Sequence, residues 1–285
     1  QVMKDSVLYG IGNVAVKLVG FILIPLYTDA EYFSTADYGL MGLLEVTSQI
    51  LIAVMGLSLY SGLIRWYWDA EYRDKQKTIF FTTLLFTILT SLCIGSVLWL
   101  NVGELSALLV QQEGYSLGGE LPYILQLLIL TSMLGAVVEV PQNLLRLQRK
   151  PIYYSLTNIV RLFVTLVLTI YFTISLHRGV SGVYEAQLVG IVIQLLMVLP
   201  LVIKNSSCRV DRKCTIQLLV YSYPLVFPAI VGSLLTVFDR YIINHFQGLE
   251  DVGFYSLGYK VGNTLKVFVV TSVQLALTPL LMKKM

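Results

Sequence analysis

Residues 122–145 read PYILQLLILTSMLGAVVEVPQNLL, and the next five, residues 146–150, read RLQRK. An α-helix needs about 20 mostly apolar residues to span a bilayer, and the first stretch has that length with Glu139 as its one charged residue. Lys and Arg collect in the short cytoplasmic loops that follow such helices. This segment therefore predicts a membrane-spanning helix whose C-terminal end faces the cytoplasm.

Segments of the same character recur along the whole chain. The predicted crossings cover about residues 7–27, 39–64, 78–100, 122–145, 152–176, 181–203, 216–246 and 252–282. Of the 285 residues, 56% are hydrophobic and only 13% are charged, about half the charge that a soluble domain carries. The sequence thus predicts an all-α, polytopic membrane bundle of about eight transmembrane helices.

Basic residues alternate between the loops in a strict order. One set of loops holds fourteen of them, and the opposite set holds only Arg178. The fourteen are Lys4, Arg65, Arg73, Lys75, Lys77, Arg146, Arg149, Lys150, Lys204, Arg209, Arg212, Lys213, Lys283 and Lys284. Because Lys and Arg mark cytoplasmic loops, the N-terminus and Lys284 are both predicted to face the cytoplasm, which requires an even number of crossings.

Several charged residues fall inside the predicted crossings. They are Lys17, Arg161, Arg240, Lys260, Lys266, Glu45, Glu139, Glu185 and Asp239. Each costs roughly 2.5–3.5 kcal/mol or more at the centre of an isolated helix, so such groups are expected to face a bundle interior or a water-filled cavity. The deepest ones are cations, and the acids lie nearer the ends of their crossings.

Four deep cations without a deep acid predict a cavity that binds an anion. The four are Lys17, Arg161, Lys260 and Lys266. Pyrophosphate fits, because it is compact, multiply charged and well matched by Arg and Lys donors. Glu45, Asp239 and Arg240 are candidates for coupling or gating. Snorkelling of single side chains and local pairing, such as Asp239 with Arg240, remain alternatives, and Glu139 and Glu185 are interpreted as structural.

A short repeat suggests two related bundles. Residues 37–40 (DYGL) and 251–254 (DVGF) follow acidic loops at an offset that spans six crossings, as in a parallel repeat. The predicted domains are a first six-helix lobe, residues 1–214, and the first two helices of a second lobe, residues 215–285. On this interpretation the second lobe is incomplete and the chain is truncated.

The repeat segments belong to a wider resemblance. Residues 4–6 (KDS), 20–28 (GFILIPLYT) and 37–39 (DYG), with 239–241 (DRY) and 252–256 (VGFYS), resemble polysaccharide biosynthesis flippases of the multidrug/oligosaccharidyl-lipid/polysaccharide (MOP) exporter superfamily. The resemblance implies a MATE-like two-lobe fold around a central cavity. It also implies alternating access that moves undecaprenyl-pyrophosphate-linked oligosaccharide to the outer leaflet of a bacterial inner membrane, with an H+ or Na+ gradient. Eight crossings do not complete two such lobes.

Other functions are less well matched by the residues. A cation-coupled multidrug exporter of the same fold would favour acids and aromatics in the cavity. A membrane-embedded glycosyltransferase or ligase would need a catalytic base or metal site on an outer loop, and the histidines are only His177 and His245. A non-transporting scaffold subunit is a further possibility. We expect no enzyme activity, metal, cofactor or nucleic acid, but partners among lipids, polysaccharide polymerase and glycosyltransferases.

Overall fold

The computed structural model describes residues 23–109, 119–207 and 209–266, and within these ranges the chain forms helices and no strands. The α-helices are α1 Ile24–Tyr27, α2 Thr35–Gly56, α3 Leu59–Trp66, α4 Gln76–Leu100, α5 Val102–Leu109, α6 Leu121–Leu147, α7 Pro151–Ile170, α8 Gly179–Asn205, α9 Arg212–Phe246 and α10 Leu249–Lys266. The all-α prediction is confirmed for this part of the chain.

Six of the described helical segments are long and apolar enough to cross a membrane. They are Thr35–Gly56, Tyr72–Leu100, Leu121–Leu147, Pro151–Ser175, Gly179–Asn205 and Arg212–Thr236. These correspond to the second through seventh predicted crossings. Most of the first predicted crossing, 7–27, and about half of the last, 252–282, lie outside the described residues, so the count of eight stays a prediction.

The predicted crossing 39–64 is not one helix. It begins at a capping box, in which Ser34 Oγ accepts the Asp37 N–H at 3.1 Å and the Asp37 carboxylate accepts the Ser34 N–H at 2.9 Å. It then breaks at Leu57 and Ser58, whose φ angles of 45° and 51° are left-handed. A left-handed pair reverses the sense of the backbone and ends α2, so α3 continues in a new direction.

Polar contacts join the Lys- and Arg-rich loops at one end of the bundle, the basic end. Lys75 Nζ donates to Asp211 at 2.6 Å, and Gln148 Nε2 donates to Asn205 Oδ1 at 2.8 Å. The Lys75 ammonium and the backbone N–H of Lys213 hold the pKa of the Asp211 carboxyl below its usual value. Loops that are far apart in sequence therefore meet at this end, as the alternation of charge predicts.

The opposite loops meet at the other end, the acidic end. Arg178 forms an ion pair with Glu185, which also accepts a hydrogen bond from the Tyr123 hydroxyl at 2.8 Å. Asn244 Nδ2 donates to the Leu109 carbonyl at 2.8 Å. Glu185 is thus satisfied by neighbours at the surface of the bundle, in line with its interpretation as a structural residue.

The most extensive packing between two described helices is that of α2 with α10, and glycines allow it. A Cβ on Gly39 would lie 1.8 Å from the Leu249 carbonyl oxygen, and a Cβ on Gly253 would lie 2.4 Å from the Thr35 carbonyl oxygen. Small residues let two helix backbones approach this closely. We call this contact the glycine crossing; it lies near the acidic end.

The glycine crossing is reciprocal. Gly39 meets Leu249, four residues before Gly253, and Gly253 meets Thr35, four residues before Gly39. A two-fold relation between equivalent segments produces this pattern of i-to-j and j-to-i contacts. The two glycines are also the aligned positions of the DYGL and DVGF repeat. The division into lobes at residue 214 remains a prediction that this contact favours.

Candidate functional site

A cavity of about 390 Å³ lies beside the glycine crossing, between α2, α8, α9 and α10. We call it the charged cavity. Its charged lining residues are Glu45, Arg240 and Lys260. Its uncharged polar residues include Ser48, Gln49, Gln187, Thr236, Ser256 and Asn263, and its aromatic residues are Tyr27, Tyr38, Tyr184 and Tyr259.

Helical spacing brings the charged residues to this cavity. Thr236 and Arg240 lie one turn apart on α9, and Ser256 and Lys260 lie one turn apart on α10, so each pair shares one helix face. Glu45 lies on α2, across the cavity, seven residues after Tyr38 and therefore on the same face. The charged residues come from separate helices, and only the packing of these helices unites them.

Arg240 is the most firmly held of the three. Its side chain belongs to a residue that is only 8% exposed, its Nε donates to Ser256 Oγ at 3.3 Å, and its Cζ lies 4.7 Å from the centre of the Tyr259 ring. A guanidinium has five N–H donors, and this bond uses one. Arg240 is therefore held in place from α10 while it retains donors for a ligand.

The Lys260 side chain extends from α10 toward aromatic residues of α1 and α2. Its Nζ lies 5.6 Å from the ring centre of Tyr27 and 6.0 Å from that of Tyr38. Within about 6 Å, an aromatic ring attracts an ammonium through its negative face. This attraction places the Lys260 ammonium at the cavity wall near Arg240, where two positive charges oppose the single carboxylate of Glu45.

Glu45 differs from the two cations in its surroundings. The residue is accessible to solvent where it lines the cavity. Its carboxylate has no hydrogen bond or ion pair with any residue that the structure describes. Because one carboxylate faces two cations, the charged cavity has a net positive character. An anion would find Arg and Lys donors on one wall, and a cation would find Glu45 on the other.

A second cavity, of about 520 Å³, extends the first toward the basic end. We call it the Glu139 cavity, because Glu139 is the charged residue among those that line it. The two cavities share Gln49 and Thr236. The remaining lining residues are Ile52, Ala53, Gly56, Ser58, Tyr60, Pro228, Ala229, Gly232 and Ser233. The two cavities therefore adjoin, and we refer to them together as the cleft; it is lined by α2, α3, α6 and α8 on one side and by α9 and α10 on the other.

A sequence-family model matches nearly the whole chain. The family described as Polysaccharide biosynthesis protein matches residues 2–285. The chain belongs to this family. No curated protein is significantly similar to this member of the family in sequence.

Solved structures with a similar fold include MATE transporters and other transporters of the MOP superfamily. The MATE multidrug transporter DinF-BH has a TM-score of 0.73 at 15% identity, over 97% of this chain and 63% of its own. A MOP superfamily transporter from Pyrococcus furiosus, described as having a binding pocket of reverse polarity, has a TM-score of 0.70 at 16% identity, over 93% and 61%. An inward-facing MATE family transporter has a TM-score of 0.61 at 16% identity, over 89% and 57%.

These likenesses confirm a MATE-like membrane fold for this polysaccharide biosynthesis family member. The chain spans about 60% of the length of the transporters that it matches. Identities of 15–16% establish the fold and leave the ligand open, because ligands are chosen by the residues of the site.

Arg161 does not share the charged cavity with Lys260. Arg161 Nη1 donates to Gln194 Oε1 at 3.1 Å, between α7 and α8, and Gln194 Nε2 donates to Asn158 Oδ1 at 3.0 Å. Gly190 of α8 packs against the same residue, since a Cβ there would lie 3.2 Å from the Arg161 carbonyl oxygen. Lys17 lies outside the described residues, as does the side chain of Lys266.

Asp239 and Arg240 are neighbours that face different partners. The Asp239 carboxylate accepts the Arg240 backbone N–H at 2.9 Å and the hydroxyl of Tyr255, whereas the Arg240 guanidinium bonds to Ser256. Adjacent residues on a helix point about 100° apart, so only Arg240 lines the charged cavity. From the sequence, Arg240 is a candidate gating residue and Glu139 a structural one, whereas the structure places each of them in the lining of a cavity. The sequence does not indicate which side of its helix either residue occupies.

Replacement of Arg161 by alanine is expected to lower thermal stability and to leave ligand binding in the charged cavity intact. The change removes a charge-assisted hydrogen bond, which contributes about 1.5–3 kcal/mol, and leaves Gln194 without that donor. The melting temperature of the purified protein tests this, with the exposed Lys204→Ala as the matched control. If the melting temperature is unchanged but anion binding is lost, Arg161 would instead have the anion-binding role that its position deep in a predicted crossing suggests.

Proposed function

We propose that this family member moves polyprenyl-pyrophosphate-linked oligosaccharide across the bacterial inner membrane for synthesis of cell-surface polysaccharide. The observation that carries the proposal is the pairing of Arg240 and Lys260 in one cavity, from two successive helices, beside a row of hydroxyl and tyrosine side chains. A pyrophosphate offers several negatively charged oxygens within reach of both cations. The family description, polysaccharide biosynthesis, points to a glycan attached to that phosphate.

The two cations suit this ligand in complementary ways. Arginine presents a planar fork that binds phosphate oxygens in pairs, and lysine acts as a point charge with three donors. Arg240 is already oriented by Ser256 and Tyr259, so binding costs little ordering of its side chain. The charged cavity, at about 390 Å³, falls within the range of small-ligand pockets. The polyprenyl tail would remain in the surrounding lipid.

Transport would proceed by alternating access. The glycine crossing packs α2 tightly against α10 near the acidic end, while the Glu139 cavity extends the cleft toward the basic end. The basic end is the expected cytoplasmic side, from which the lipid-linked glycan is loaded. Opening of the cleft at the acidic end would then expose the ligand to the outer side, and Glu45 is our candidate to bind the coupling H+ or Na+.

A cation-coupled multidrug exporter is the second candidate function. The observations that favour it are the carboxylates of Glu45 and Glu139 in the cleft, neither bonded to a described residue, with tyrosines around them. A lipophilic cation could pair with either carboxylate and stack on an aromatic ring. Competition between the two ligand classes for the purified protein separates the candidates.

Replacement of Lys260 by glutamine is expected to weaken binding of farnesyl pyrophosphate about tenfold. The change removes one of two cations but keeps much of the length and the polarity of the side chain, and a tenfold loss corresponds to about 1.4 kcal/mol. Isothermal titration of the detergent-purified protein measures the Kd. The exposed Lys204→Gln should bind as the unmodified protein does.

The same titration decides between the candidates. The flippase proposal expects farnesyl pyrophosphate to bind more tightly than tetraphenylphosphonium. It is contradicted if the cation is preferred, or if Lys260→Gln binds farnesyl pyrophosphate as tightly as the unmodified protein.

A further inference from the structure

We propose that the Glu139 cavity is a sugar subsite that selects against acidic sugars next to the pyrophosphate. The inference rests on the proposed function, because it assumes a pyrophosphate at Arg240 and Lys260. It goes beyond that function by naming the kind of glycan that this chain accepts.

Glu139 is a carboxylate with a cavity in front of it. It lies in the second half of α6, is partly buried, and its side chain has no hydrogen bond or ion pair with a described residue. Gly56, the last residue of α2, faces it: a Cβ on Gly56 would lie 4.0 Å from Glu139 Oε2. The end of α2 at Gly56 thus leaves space beside the carboxylate. A charged residue inside a membrane-spanning helix, beside a cavity, is expected to bind a ligand.

The lining of the Glu139 cavity contains both polar and apolar groups, which suit the hydroxyl rim and the C–H faces of a sugar ring. Ser58, Tyr60 and Ser233 supply hydroxyl groups, and Ile52 and Pro228 supply apolar surface. Ser58 Oγ lies 3.4 Å from the Leu225 carbonyl and Ser233 Oγ donates to the Ala229 carbonyl at 3.0 Å, so both oxygens are left to accept hydrogen bonds. A sugar offers hydroxyl donors at its rim and C–H groups on its faces.

Size argues for a sugar rather than a bare cation. A metal ion such as Ca²⁺ needs six to eight oxygens within about 2.6 Å, whereas this cavity measures about 520 Å³ and contains one carboxylate. Gln49 and Thr236 border both cavities. A sugar joined to a pyrophosphate in the charged cavity would therefore lie beside the Glu139 cavity.

The charge of Glu139 sets the selectivity. A carboxylate accepts hydrogen bonds from the hydroxyls of a neutral sugar or from an ammonium, but it repels the carboxylate of a uronic acid. Arg240 and Lys260 alone would have the opposite effect, since they attract any additional negative charge. The order of affinity between a neutral and an acidic sugar therefore reports which cavity the sugar occupies.

Three synthetic probes test the proposal on the purified full chain: farnesyl pyrophosphate, farnesyl-pyrophosphoryl-glucose and farnesyl-pyrophosphoryl-glucuronic acid. We expect the unmodified protein to bind the glucosyl probe about tenfold more tightly than the glucuronyl probe. Glu139→Gln should reduce this ratio to within about twofold, and Glu139→Asp, which keeps the charge, should preserve the preference. Glu104→Gln, an exposed carboxylate on α5, is the matched control and should behave as the unmodified protein.

The outcomes separate the two proposals. If the unmodified protein binds none of the probes, the proposed function fails and the sugar subsite fails with it. If farnesyl pyrophosphate binds but glucosyl and glucuronyl probes bind equally, or Glu139→Gln keeps the full preference for glucose, the subsite alone is wrong. Loss of the preference in Glu104→Gln as well would also overturn it, because a general surface charge would then be the cause.

Discussion

Replacement of Gly39 by leucine is expected to push α2 away from α10 and to leave little folded protein. Even the first added atom, Cβ, would lie 1.8 Å from the Leu249 carbonyl oxygen and 2.9 Å from the Gly253 nitrogen. Both are backbone atoms and cannot turn aside as a side chain can. Overpacking typically costs roughly 1–3 kcal/mol, and we expect the upper end or more, because a main-chain contact must separate.

The yield of monodisperse protein from detergent and its melting temperature measure this effect. Gly258→Leu is the matched control, since it lies on α10 and a Cβ there meets nothing within 4 Å. Because the glycine crossing is reciprocal, Gly253→Leu should be about as damaging as Gly39→Leu. The packing argument is wrong if Gly39→Leu melts at the same temperature as Gly258→Leu.

Replacement of Arg240 by glutamine is expected to weaken farnesyl pyrophosphate binding about a hundredfold, or about 2.7 kcal/mol. The effect should exceed that at Lys260 because Arg240 is buried and already oriented by Ser256 and Tyr259. Arg240→Lys should recover little, since an ammonium lacks the planar fork that binds two phosphate oxygens.

Titration of the purified variants measures this loss. The control is Arg65→Gln, an exposed arginine of α3, which should leave binding unchanged. If Arg240→Gln binds within about threefold of the unmodified protein, the pyrophosphate does not contact Arg240, and the anion site must be sought elsewhere in the chain. Melting temperatures of both variants show whether any loss of binding reflects unfolding.

The long helices could be predicted because each is encoded by its own residues. The segment at 122–145 is apolar enough to cross a membrane by itself, and α6 covers Leu121–Leu147. The break at Leu57 and Ser58 could not be predicted in this way. Neither residue has an intrinsic preference for left-handed angles, so surrounding packing imposes them on the chain.

The candidate site shows a second limit. The distance of a residue from the ends of its predicted crossing can be counted in the sequence. By this measure, both Arg161 and Lys260 lie well inside the membrane. Direction around the helix depends on neighbouring helices: Arg161 meets Gln194 between α7 and α8, whereas Lys260 meets Tyr27 and Tyr38 at the charged cavity.

The sequence alone determined that this protein is an all-α membrane protein, which of its loops share an end, and its family. These properties follow from hydrophobicity and charge summed over short segments, which need no partner. Only the tertiary structure decided that Arg240 and Lys260 meet Glu45 in one cavity and that Glu139 borders the next one. Those residues come from α2, α6, α9 and α10, and helices far apart in sequence are brought together by close packing at positions such as Gly39 and Gly253.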